Sequence, residues 1–541
     1  MLFKKWKKLS VFQLTALLLV IAFAIVAGAC PGEASGGKVE EDETLTKETE
    51  TVTNYASGEN ALNWGVSANA NVLTLGLNPG NDTTEINLNW YSTGAPAGKV
   101  AQVRFIRGTL TAGTELLEKT GAVSEASAGY TAHKVTVTGM KPGFSYQYAV
   151  SSDGTNWSEA YDFKVPAASG AFKFAVIADP QLTQGNIDAN SRYPAVGTTT
   201  AAGWLETMTK IVAAGVSFIA SGGDQVDASS GNEVEYTNFF APSGLRSLPV
   251  APVAGNHDNH VHFDYHYNLP NRQTFADETV ATSMRRNYFY LYNNILFVVL
   301  DTAPYPNSKS ATEPYITKFE NTLTAAKAKH AGKYDWLIVQ HHKSTASVAD
   351  HLADTDIQYY VEAGFEKLMS DHNVDFVLAG HDHVYARSYP LSGRDGGKVS
   401  VPNKTFSGNT WNNPIDPIYL TFTTGSGLKY YAVAADRTSV YANTLYVKNN
   451  SAYPYLGEIT GEDTSTQLGS TAYLTGNYLP VSNAAYVQPY IPSYTIVEVN
   501  SKSITFKTYA IATASGQVSG AAERYSFDAS TPYDVITVTK N

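Results

Sequence analysis

The chain has 541 residues and a formal net charge of −11. That length buries more than one core, and the acidic balance excludes the basic face a nucleic-acid binder needs. Its single cysteine excludes an intrachain disulfide, so stability must come from packed cores and bound metals.

Lys4, Lys5, Lys7 and Lys8 precede an apolar stretch from Val11 to Val26, followed by Ala27-Gly28-Ala29-Cys30. A charged, then apolar, then small-residue order describes a secretory signal, and the apolar run is short for a membrane span. Ala-Gly-Ala-Cys resembles a bacterial lipoprotein box, which implies a mature chain that begins at a lipidated Cys30 and stays membrane-tethered outside the cytoplasm. Residues 31–60 place Glu33, Glu40, Glu41, Asp42, Glu43, Glu48 and Glu50 among Gly, Ser and Thr, a composition expected of a disordered acidic tether.

Residues 61–167 are expected to form an all-β, fibronectin type III-like sandwich. Ile86, Leu88 and Trp90 alternate on one face, as do Val135 and Val137, and Phe144, Tyr146 and Tyr148 repeat the pattern after the Lys141-Pro142-Gly143 turn. His133 shares the Val135 face and reads as a packing residue.

Residues 168–541 form the expected α/β domain. Short apolar runs at 171–178, 216–220, 336–339 and 374–378 read as buried strands. Residues 201–214 space Trp204, Met208 and Ile211 for one helical face, and 494–499 with 503–509 alternate like a hairpin turning at 500–502. A Tyr-rich stretch without periodicity, about 429–490, reads as an insertion.

Polar motifs follow these strands: Asp179-Pro180-Gln181, Gly223-Asp224, Gly255-Asn256-His257-Asp258, His341-His342 and Gly380-His381-Asp382-His383. Singly each is unremarkable, since Gly-Asn-His-Asp is usually a polar turn and His-x-His is often surface. Together they place carboxylates, an amide and imidazoles at successive strand ends, where loops of layered α/β folds converge on a ligand. Two divalent cations about 3.5–4 Å apart need a bridging anion, oxygen donors, imidazoles and open positions. Asp224 is the natural bridge. Asp179 and His383 then serve one metal, with the Gln181 oxygen as a further candidate, while Asn256, His341 and His381 serve the other. His381 and His383, two apart on an extended segment, point the same way. His257 is left to face the substrate, oriented by Asp258, or else to be an outer structural histidine. His260 and His266 read as loop residues, and His262 stays open.

Gly380-His381-Asp382-His383-Val384-Tyr385-Ala386-Arg387 resembles the Gly-His-x-His-x-Tyr-x-Arg signature of purple acid phosphatases, a branch of the calcineurin-like metallophosphoesterases. The resemblance spans about residues 60–541 and includes the N-terminal sandwich. It implies a four-layer αββα domain of two mixed sheets and a dinuclear centre of Mn, Fe or Zn. The activity it implies is hydrolysis of phosphate esters by in-line attack of a metal-activated hydroxide.

This sequence departs from that family at three places. Asp227 stands where the branch has its metal-bound tyrosine, so the purple colour is not expected. Gln181 stands where the wider superfamily has histidine. No proline follows His341-His342, and matching the motif on its first histidine selects His341, with His342 the alternative. The reading is an extracytoplasmic phosphoesterase. The alternatives are a nucleotidase or envelope-polymer phosphodiesterase of the same fold, or a degenerate binding protein.

Overall fold

The computed structural model describes residues 51–54, 64, 66–108, 115–127, 129–183, 185–187, 199–258, 260–275, 286–349, 351, 354–393, 401–431, 483–516 and 525–541. The signal segment, Cys30 and most of the Tyr-rich stretch lie outside them. The chain divides at Glu48/Thr49, and everything below concerns the second unit.

The N-terminal β domain is two antiparallel sheets. One orders Leu73–Pro79, Ile86–Thr93, Tyr130–Val137 and Ala122–Glu125; the other orders Thr51–Asn54, Glu115–Thr120, Gln102–Arg107, Ser145–Ser151 and Tyr161–Lys164. Ile86, Leu88, Trp90, Val135, Val137, Tyr146 and Tyr148 fill the space between them, as the alternation requires. Phe144 does not join them and is 45% exposed, because its strand begins only at Ser145. His133 is buried and stacks on Trp90 at 5.1 Å, a packing role. Thr51–Asn54 lies within the stretch expected to be a tether, yet its β-forming Thr-Val-Thr sequence pairs antiparallel with Glu115–Thr120.

Asn87, Asn89 and Tyr91 occupy the strand's other parity, normally a solvent face, yet all are buried. That side meets the α/β domain. Asn78 donates to the Val250 carbonyl (2.9 Å) and accepts from the Asn268 amide (2.8 Å), and Tyr91 stacks on His266 at 4.1 Å. Glu233 accepts from Ser127 (2.5 Å) and lies within 2.7 Å of His266 and 3.0 Å of His262. Two of the three loop histidines therefore belong to the inter-domain contact, and His260 caps the short helix Val261–His266.

The α/β domain stacks two mixed seven-stranded sheets. The first orders Val250–Ala251, Ile219–Ser221, Phe172–Ile177, Ser493–Asn500, Ser503–Ala510, Asp534–Thr539 and Thr410–Asn412. The second orders Tyr288–Tyr292, Ile295–Val299, Trp336–Lys343, Phe376–Gly380, Ile418–Thr421, Tyr385–Ser388 and Asn483–Val487. The hairpin at 493–510 closes as expected, with Asn500 opposite Ser503. Asn483–Val487 is a sheet strand, so the tail of the expected insertion belongs to the core instead.

In the second sheet the two parities divide cleanly. Tyr288, Tyr290, Phe297, Trp336, Ile338, Phe376 and Leu378 join the core shared with the first sheet. Phe289, Leu291, Val298, Leu337, Val339 and Val377 pack with Phe319, Leu323, Tyr360 and Met369 from the helices Lys309–Lys329, Thr355–Ala363 and Phe365–Asp371. Helix Thr200–Ala213 buries Trp204, Met208 and Ile211 against the first sheet's core, the face its spacing predicts.

Candidate metal centre

The parallel strands Phe172–Ile177, Ile219–Ser221 and Val250–Ala251 of the first sheet, and Trp336–Lys343 with Phe376–Gly380 of the second, all run toward one edge. There the loops are stitched together. Both Asp179 oxygens accept from the His381 amide (3.0 and 2.9 Å), Thr424 Oγ1 donates to the Asp179 carbonyl (2.8 Å), and Gln340 Nε2 donates to the Ser221 carbonyl (3.1 Å). The motif glycines permit this approach: a Cβ on Gly255 would lie 1.9 Å from Asp224 Oδ1, and one on Gly380 would lie 2.4 Å from Asp179 Oδ2.

Asp179, Gln181, Asp224, His381 and His383 all have φ between +38° and +74°. Five non-glycine residues held in the left-handed region at one place mark a site whose surroundings over-determine its geometry. They also show that the Gly-His-Asp-His segment is sharply bent rather than extended.

Three ligand-type atoms converge on His342 Nε2. Asn256 Oδ1 is 2.9 Å away, His381 Nδ1 3.1 Å and Asp224 Oδ2 3.3 Å. His342 Nδ1 lies 2.8 Å from the Gly222 carbonyl, a partner that fixes Nδ1 as donor and leaves Nε2 for the cluster. Beside it, His383 Nε2 stands 3.6 Å from Asp179 Oδ1, and its Nδ1 is likewise held by a carbonyl, that of Lys429, at 2.8 Å. Gln181 Nε2 donates to Asp224 Oδ2 (3.0 Å), while its buried Oε1 has no partner among the described residues. Rotating the amide exchanges the two atoms, so this side chain can present oxygen at the same place.

The sequence assigned His341 to this cluster, and the structure places it elsewhere. Strand Trp336–Lys343 carries both histidines across a register shift against Phe376–Gly380 between Gln340 and Lys343, and their contacts decide: Trp336 and Ile338, with Gln340 on the Ser221 carbonyl and His342 on the Gly222 carbonyl, face the first sheet, while Leu337, Val339 and His341 face the helices. His341 packs on Phe365 at 4.7 Å, and burial drives its pKa down to about 3. His342 is the centre's residue.

A second correction concerns Asp258, expected to orient His257. Its carboxylate instead accepts the Gln225 and Gly255 amides (each 3.1 Å), fastening the loops beneath Asp224. Burial, then the Asp224 charge, pushes Asp258 up to about 7. The His257 amide donates to Asp224 Oδ1 (2.9 Å), and its Nδ1 contacts the Asp227 carbonyl, so Asp227 orients the ring.

Electrostatically the cluster calls for cations. Burial holds Asp179 well above the usual carboxylate range, with Asp224 adding to the shift. Burial opposes charge on His342 as well, yet Asp224 and Asp179 lift it to about 9. Two buried carboxylates, imidazoles, an amide oxygen and an unpartnered Gln181 oxygen are a donor set that fits divalent metal.

The sequence reading missed His351 and Asp354. His351 packs at a tilt on His381 at 4.3 Å, lies 2.7 Å from Asp354 Oδ2 and donates its amide to Asp382 Oδ1 (2.9 Å). Its segment follows the strand without periodicity, so only proximity reveals it. The signature's Tyr385 and Arg387 are not at the centre: both bind Asp534, Arg387 through Nε (2.8 Å) and Nη2 (3.1 Å).

Family comparison agrees with this geometry. Residues 172–385 match the calcineurin-like phosphoesterase family, and residues 72–165 match the purple acid phosphatase N-terminal domain. The chain carries a calcineurin-like phosphoesterase domain behind a purple acid phosphatase N-terminal domain. In fold, the phosphoesterase chain is similar to a purple acid phosphatase from yellow lupin (Lupinus luteus) seeds, with TM-score 0.56 and 14% identity, covering 87% of this chain and 75% of that one. It is also similar to PhoD, with TM-score 0.50 and 12% identity, covering 88% and 94%. An uncharacterised protein of Mycobacterium tuberculosis is 22% identical over 349 residues, 60% of this chain. The chain spans 63% of the length of that curated relative.

Proposed function

We propose that this phosphoesterase domain hydrolyses phosphate esters at a two-cation centre outside the cytoplasm. The observation that carries this reading is the convergence of Asp224, Asn256 and His381 on His342 Nε2, with Asp179, His383 and Gln181 alongside. Asp224, within reach of both His342 and Gln181, would be shared; Asn256, His342 and His381 would hold one cation, and Asp179, Gln181 and His383 the other. Divalent ions held there supply Lewis acidity that activates water and neutralises the phosphoryl oxygens.

The chain's own residues do the rest. His257 is partly exposed, and the Asp227 carbonyl occupies its Nδ1, which leaves Nε2 to stabilise the transferring phosphoryl group or to protonate the leaving alkoxide. His351, steadied by Asp354, stands at the same opening. For His257→Ala the expected result is a drop in kcat of about 10²-fold with metal content unchanged, since a positioned acid–base group contributes at least that much. Metal loss in that variant, read by atomic emission, would reassign the residue to a structural role.

The direct test is to load purified protein with Mn, Fe or Zn, measure the metal bound, and assay a chromogenic monoester and diester before and after chelation. Two equivalents of metal and chelator-reversible hydrolysis are expected. So is the absence of a strong visible band, because Asp227 contacts His257 and Tyr385 is committed to Asp534. Hydrolysis indifferent to chelation ends the metal reading. A visible band abolished by Tyr431→Phe would show that a tyrosine has entered the centre.

The location rests on residues 1–30 alone, a charged, apolar, then Ala-Gly-Ala-Cys sequence. Cys30→Ser is expected to release the protein from membranes or block its processing. A membrane-bound mature chain carrying an unmodified Cys30 by mass spectrometry would contradict this.

A further inference from the structure

The loop after strand Ile295–Val299 runs beside the centre. Thr302 Oγ1 accepts from the His342 amide (3.1 Å) and the Lys343 amide (3.0 Å), so Thr302 and the residues after it are registered against the strand that delivers His342. Lys343 is the next residue of that strand, and its side chain is wholly buried. Its ammonium donates to the Pro304 carbonyl (2.9 Å) and to Asp356 Oδ2 (2.5 Å), and it lies 3.4 Å from the centre of the Tyr305 ring. A buried ammonium with two hydrogen bonds and a ring above it is fixed, and it fixes the ring in turn.

Tyr305 is nevertheless 60% exposed. One face of its ring is seated on Lys343, the residue after His342, leaving the other face in solvent three residues beyond Thr302. Tyr431, half-buried, stands edge-on to His351 (4.6 Å) and His383 (4.9 Å), so a second aromatic ring borders the centre. Neither ring takes part in the hydrolytic chemistry.

We propose that Tyr305 is the leaving-group platform of this centre, selecting phosphate esters whose leaving group carries a flat aromatic ring, either a nucleobase or a phenol. The proposal rests on the phosphoesterase reading and deepens it. Anchored by its phosphoryl group at the cations, such an ester has its remaining part free to lie on a nearby surface. An aromatic ring gains offset stacking on Tyr305, whereas a short polyol gains nothing comparable. Because Lys343 already holds the ring, little side-chain entropy is lost on binding.

The test compares wild-type, Tyr305→Ala and Tyr305→Phe proteins, Mn-loaded. Hydrolysis of adenosine 5′-phosphate, phenyl phosphate and glycerol 2-phosphate is measured with calorimetric binding of phenylphosphonate and methylphosphonate, which cannot be hydrolysed. The ratio of kcat/KM for an aromatic ester over the glycerol ester should fall about tenfold in Tyr305→Ala, the order expected of one stacked ring, and persist in Tyr305→Phe. Loss with the adenosine ester alone assigns a nucleobase; loss with the phenyl ester alone assigns a phenol. An unchanged ratio, or an equal loss on all three esters, overturns the platform. If wild-type protein hydrolyses none of them, the phosphoesterase reading fails, and the phosphonate pair decides the platform: a phenyl preference lost only in Tyr305→Ala upholds it, and no preference overturns it.

Discussion

Replacing His342 with alanine is expected to strip metal from the centre and abolish hydrolysis, whereas His341→Ala leaves metal content intact. The two residues are neighbours on one strand, so the contrast isolates side-chain direction. His342 Nε2 is where Asn256, His381 and Asp224 meet, and its loss removes one donor and the group that holds the others at contact distance. Residues that merely support metal ligands already cost about 10–100-fold when removed, so a ligand at the point of convergence costs more. His341 lies on the helix side against Phe365, with both ring nitrogens buried and unpartnered. Its truncation leaves a void among Phe365 and its neighbours, which lowers the melting temperature without reaching the metals. Metal analysis on both variants decides the matter, and equal metal loss would show that the strand's parity is wrong.

The second large effect is on stability. Arg387→Ala, or Asp534→Ala, is expected to destabilise the domain by about 3–5 kcal/mol, because removing one partner leaves the other as an uncompensated buried charge. Arg387 meets Asp534 through two hydrogen bonds at 2.8 and 3.1 Å, the Tyr385 hydroxyl contacts the same carboxylate, and all three side chains are buried. Tyr385 and Arg387 come from the second sheet and Asp534 from the first, so this contact clamps the two layers behind the centre. Urea unfolding of the metal-free proteins measures the effect without interference from metal binding. A shift under about 1 kcal/mol would place the pair in the range of solvent-exposed ion pairs and refute the clamp. The Gly-His-x-His-x-Tyr-x-Arg signature thus has two parts with different roles. Its histidines line the candidate centre, and its tyrosine and arginine meet Asp534 of the other sheet.

By itself the sequence determined the order of the elements and the chemistry gathered at their ends. An apolar run that stops at Asp179, Asp224, Asn256 or His381 is legible because a buried strand cannot carry such groups until it emerges, and the loops of parallel strands emerge on one side. The helix with Trp204, Met208 and Ile211 and the hairpin at 493–510 were legible for the same local reason, a period that matches the element.

Tertiary structure alone decided which way those groups point. Strand Trp336–Lys343 is buried on both faces, so no alternation of polar and apolar residues tells His341 from His342; the difference exists only once helices cover one side and the first sheet the other. Asn87 and Asn89 lie on the strand parity that a lone sandwich leaves in solvent, and their burial against the α/β domain is a tertiary fact that this strand's sequence does not encode. Asp227 rather than Asp258 orients His257, His351 meets His381, and Arg387 finds Asp534 across 147 residues, because each contact joins separate loops or sheets. Such pairings are fixed by how the layers stack, and no periodicity within any one segment encodes them.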